Sequence, residues 1–128
     1  MSSTMTVQTV VKEGGTVLVN NTVTHTIESS IKFAETVVDS ATNTPFLIAI
    51  DVSALKHFTM VSDYAVTVYT NEASTGSPQE SFTLAAGVPV VWNSGDTAIF
   101  AGDVDSIFVT NASGDDATLT IIVGTDVP

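Results

Sequence analysis

The sequence predicts an all-β fold, a single antiparallel β-sandwich or jelly-roll-like domain, and three observations carry that expectation. Threonine and valine recur along the whole chain, and β-branched residues suit a pleated, half-buried surface better than a helix. Apolar and polar residues alternate with period two in several short segments, the signature of strands with one wet face. Clusters of Gly, Asn, Asp, Ser and Pro separate these segments at the spacing of about 8 to 12 residues expected of sandwiches and barrels. No stretch sustains a helical stripe at i, i+3, i+4 and i+7.

The elements follow in order. "MTVQTVV" (Met5 to Val11) meets no turn signal before Gly14. Residues 1–13 are therefore expected to form an N-terminal arm that pairs with a neighbouring subunit's sheet edge or with the shell of a larger assembly, and residues 14–128 the sandwich. "TVTHTI" sets Val23, His25 and Ile27 on one face and Thr22, Thr24 and Thr26 on the other. "PFLIAI" (Pro45 to Ile50) and "SIFV" (Ser106 to Val109) are apolar on both faces, which predicts strands covered on both sides, at the centre of the sandwich or under a partner subunit. "DVSALKHF" holds one helical turn capped by Asp51 or Ser53. "YAVTVYT" separates Tyr64, Val66 and Val68 from Ala65, Thr67 and Tyr69, and "ATLTIIV" separates Leu119, Ile121 and Val123 from Thr118 and Thr120. "VTNASGDDATLTIIV" reads as a hairpin, because Asn, Gly and Asp accept the left-handed backbone that tight turns need.

Charge narrows the function classes. Fourteen Asp and Glu stand against three lysines, Lys12, Lys32 and Lys56, with no arginine and a net charge of −11. Nucleic-acid binding draws its affinity from basic side chains on phosphates, so it is not expected, nor is docking on an anionic membrane. No apolar run approaches the roughly 20 residues of a membrane helix. "MSSTMTVQTV" lacks the basic and apolar regions of a signal peptide. A product made in the cytoplasm is the expectation, and the glycosylation patterns at Asn111 and at Asn20 lose their premise with it.

Chemistry finds little purchase. Cysteine is absent, which removes thiol nucleophiles, thiolate metal sites and disulfides. The two histidines, His25 and His57, lack a nucleophile elbow. His25 alternates with Val23 and Ile27, so a buried or interfacial ring with one hydrogen bond is expected. Asp103 and Asp105 lie two apart, a spacing that a glycosidase uses, but a charged strand entry after Gly102 is the simpler reading. "NASGDDAT" offers oxygens without the spacing of a calcium loop. No catalytic residue, metal ligand or cofactor is expected.

The second half of the chain adds a likeness. "VSDYAVTVYTN", "ESFTLAAGVPVVWNSGD" and "DVDSIFVTNASGDDATLTIIVGTD" in succession resemble small structural proteins of tailed bacteriophages, over roughly residues 54 to 128. Proteins of that look include capsid decoration, or cement, proteins. That resemblance implies a homotrimer made in the host cytoplasm and seated on the outer surface of the phage head, binding the major capsid protein and acting by binding alone. A tail, fibre or baseplate β-module and a carbohydrate-binding adhesin are the alternatives. Residues expected at partner contacts are Met5, Val7, Val10 and Val11 of the arm, with Tyr69 and Trp92.

Overall fold

A computed structural model describes residues 2–126. It contains ten strands: β1 (Ser3–Glu13), β2 (Thr16–Ile27), β3 (Ser29–Val37), β4 (Thr44–Ile50), β5 (Leu55–Ser62), β6 (Val66–Thr70), β7 (Ser81–Leu84), β8 (Val90–Asn93), β9 (Val104–Thr110) and β10 (Ala117–Thr125). Among the described residues the one helical element is a 3-10 turn at Val52–Ala54, capped by Asp51, one of the two caps its sequence offers.

Eight strands make the body. One sheet has the order β3-β10-β5-β8 and the other β4-β9-β6-β7. The pairs β3 with β10, β4 with β9, β5 with β8 and β6 with β7 are all antiparallel, so the body is one long hairpin rolled up between two sheets. That is the connectivity of a jelly roll. The period-two pattern decides which side chains fill the gap: Phe58 and Met60 from β5, Val66 and Val68 from β6, Ile107 and Val109 from β9, and Leu119, Ile121 and Val123 from β10 are all buried. The void among Ile48, Phe58, Met60 and Phe100 is about 10 Å³, room for about one water and for no ligand.

Two sequence expectations change. "VTNASGDDATLTIIV" is not a hairpin, because β9 and β10 belong to different sheets and the loop between them crosses from one to the other. "TLAAGVPVVW" crosses between sheets in the same way, from β7 to β8. "PFLIAI" is not central: β4 is an edge strand, with Phe46, Ile48 and Ile50 turned inward and Leu47 left 91% exposed.

The N-terminal arm is a hairpin. Residues 3–13 pair with Thr16–Ile27 of the same chain through an antiparallel ladder, so the arm spans both strands. Gly14 and Gly15 make the turn with φ of 55° and 88°. A two-residue turn of the I′ kind needs positive φ at both positions, and glycine supplies it at no steric cost.

Candidate binding surfaces

The arm is fastened at its root. Directly opposed residues share a face, so Met5 with His25 and Val7 with Val23 form one apolar side. Met5 and Ile27 pack over Gly124 of β10, whose missing side chain makes the approach possible: a β-carbon there would stand 3.0 Å from Met5 Cε and 3.1 Å from Ile27 Cγ2. His25 is buried and meets His57 on the outer face of β5, with ring centroids 6.2 Å apart. His25 Nε2 and His57 Nδ1 each lie 2.9 Å from Asn93 Oδ1. An amide oxygen only accepts, so both nitrogens carry hydrogens, and His57 Nε2 lies 2.5 Å from the Thr59 hydroxyl oxygen. The two histidines thus bolt the arm to the body.

The arm's tip is bare. Val10, Val11, Val17, Leu18 and Val19 are all exposed, Leu18 at 57%. The ladder shifts register between Val11 and Lys12, where Val11 opposes Val19, Lys12 opposes Val17 and Leu18 is left extra. Such a bulge increases the twist of the ribbon.

Two further apolar surfaces lie on the body. On the outer face of the β4-β9-β6 strands, Pro45, Phe108 and Tyr69 oppose one another in a row, with Leu47 beside them. Phe108 and Tyr69 are half-buried, while Pro45 and Leu47 face solvent. By the β8 edge, Val52, Leu55, Trp92, Ala98, Ile99 and Phe100 line a groove of about 160 Å³. Trp92 is half-buried there and donates from Nε1 to the Thr97 carbonyl at 2.9 Å.

Several of the acidic side chains cap backbone N–H groups of the fold. Asp63 accepts from Thr118 N at 2.7 Å, Asp96 from Asn93 N at 2.8 Å, Asp103 from Val52 N at 3.0 Å and Asp116 from Asp39 N at 2.9 Å. Glu80 accepts from the buried Thr70 hydroxyl at 2.7 Å and from Ala101 N at 2.9 Å. Asp51 accepts from the Ser53 hydroxyl and backbone N–H, which hold its carboxyl below the usual carboxylate range. Asp103 is thus a strand-entry cap, and Asp105 beside it is exposed. Among the described residues no three His, Cys, Asp or Glu side chains are grouped to hold a metal.

Asn111 is neither a glycan acceptor nor a cation ligand. Its side chain is fully buried, with Nδ2 donating to the Val37 and Asp115 carbonyls at 2.8 Å each and Oδ1 accepting from Ser113. It ties the β9–β10 crossing to the β3–β4 crossing. Asn71, which like Asn111 follows a threonine that ends a strand, does the same kind of work at the surface: Nδ2 donates to the Asp103 carbonyl and Oδ1 accepts from Asp105 N.

The six residues expected at partner contacts therefore do not converge. Met5 and Val7 serve the root, Val10 and Val11 the tip, Tyr69 the outer sheet face and Trp92 the groove. Val17, Leu18, Val19 and Leu47 went unnoticed, although the run Val17-Leu18-Val19 between two turn signals was a legible cue. No family model and no curated protein matches this chain. A chain from a solved structure of Bacillus endospore appendages, which form a novel family of disulfide-linked pili, is similar to it at 15% identity and a TM-score of 0.35. That match covers 77% of this chain and 90% of that one. At this TM-score it supports no functional argument.

Proposed function

We propose that this protein is a structural module that acts by binding alone, a decoration protein that sits as a homotrimer on the outer surface of a phage head and stabilises the shell. The observation that carries the reading is the arm, a built and aliphatic-tipped hairpin that projects from a jelly roll. Such a chain is equipped for attachment. The acidic, arginine-free body suits an exterior, since the interior of a head faces packed nucleic acid. The row of Pro45, Phe108 and Tyr69 with Leu47 is the face that meets the major capsid protein, because apolar and aromatic residues dominate the fully desolvated centre of an interface. Many copies, each weakly held, give a firm sum through symmetry-matched multivalency.

The test uses particles assembled without the chain. They are expected to form but to lose their contents at a lower temperature than complete particles, and purified chain added back is expected to bind and restore the difference. Leu47→Asp should fold and fail to rebind. Particles equally heat-stable with and without the chain, or no rebinding by the wild type, overturn the proposal.

A further inference from the structure

We infer that the apolar tip of the arm docks in the Trp92 groove of a second copy of this chain. Four observations lead there. The arm between Ser3 and Ile27 carries one Lys and one Glu, Lys12 and Glu13, and is neutral, so the whole net charge of −11 resides on the rest of the chain. Two bodies pressed together face like-charge repulsion, whereas a neutral arm approaches the acidic body of another copy without it. Six residues separate the half-buried Val7 from Glu13 at the turn, a reach of about 20 Å, and a two-stranded ribbon with bare aliphatics is at best marginally stable in water until something packs on it. The groove lined by Val52, Leu55, Trp92, Ala98, Ile99 and Phe100 offers about 160 Å³ of apolar space, suited to the branched side chains of Leu18 and Val19. An arm-to-groove contact joins different surfaces of each copy, and such heterologous contacts close into a ring when the rotation allows. The inference deepens the homotrimer proposed above by naming the contact between copies, and rests on that reading only for the number three.

The chain has no cysteine, which makes cross-linking clean. Leu18→Cys and Ala98→Cys are placed in separate full-length chains, mixed and oxidised. The expected product is the mixed disulfide, of twice 13.3 kDa, in about tenfold excess over either homodimer. Trp92 is the one tryptophan, so its emission is expected to shift on dilution of the wild type and not in Leu18→Asp. Leu18 is exposed, and circular dichroism checks that this variant folds. Random disulfide pairing, or emission independent of concentration in the wild type, overturns the inference. The assay contains no shell, so its failure leaves head binding standing, and loss of head binding leaves this contact standing.

Discussion

Replacing Asn111 with alanine removes the tie between two sheet crossings, and the structure sets the size of the effect. Nδ2 donates to two carbonyls at 2.8 Å and to Val38 O at 3.3 Å, and Oδ1 accepts from Ser113 N at 3.1 Å and from its hydroxyl at 2.7 Å. A hydrogen bond contributes about 1 kcal/mol net, and a buried partner left without one costs about 1–3 kcal/mol. The Ser113 groups regain water at the surface, but the Val37 carbonyl does not. The expected loss is about 3–4 kcal/mol, a large part of the 5–15 kcal/mol that holds a typical domain together. Asn111→Asp is expected to be worse at neutral pH, because a carboxylate only accepts and would face backbone carbonyls. Urea unfolding followed by Trp92 fluorescence measures both variants. An Asn111→Asp protein within about 1 kcal/mol of the wild type, or more stable than Asn111→Ala, would refute the reasoning.

Other outcomes follow from the same geometry. Ile121→Ala, at a site 1% exposed, is expected to cost about 2–5 kcal/mol in chemical denaturation through lost burial and the cavity it leaves. Gly124→Val drives a branched side chain into Met5 and Ile27; hydrogen exchange is expected to quicken across residues 3–27 while the body keeps its protection. Because the Asp51 carboxyl is held low by Ser53, its contribution to stability is present above the ordinary carboxylate range and is lost as pH falls through the lowered value. Asp51→Asn is therefore expected to remove part of the acid dependence of the melting temperature, to a small extent because the group is fully exposed, and an unchanged acid limb would count against the cap.

The sequence pattern was a good guide where a local rule acts. Period-two alternation placed Val66 and Val68, and Leu119, Ile121 and Val123, on the core side, because a pleated strand leaves no other way to bury every second residue. It misled where the decision is long-range. The Asn-Gly-Asp chemistry of the β9–β10 loop serves a hairpin and an inter-sheet crossing equally well, and only the buried Asn111 with its partners 73 and 74 residues away selects the crossing. "PFLIAI" looks the same whether its outer face is covered or bare, and Leu47 proved bare. The arm's second strand was in reach, since Glu13-Gly14-Gly15-Thr16 is a two-residue hairpin signal that leaves the first strand paired at home. The groove was not, as Val52, Leu55, Trp92 and Phe100 come together only through the roll.

The measurement that most directly tests the proposed role is immunogold electron microscopy, with antiserum against this chain, of particles and surface structures purified from the organism that carries its gene. Label confined to the outside of icosahedral heads is the predicted result. Label on tails, filaments or the cell surface, or on no assembled structure at all, would contradict it.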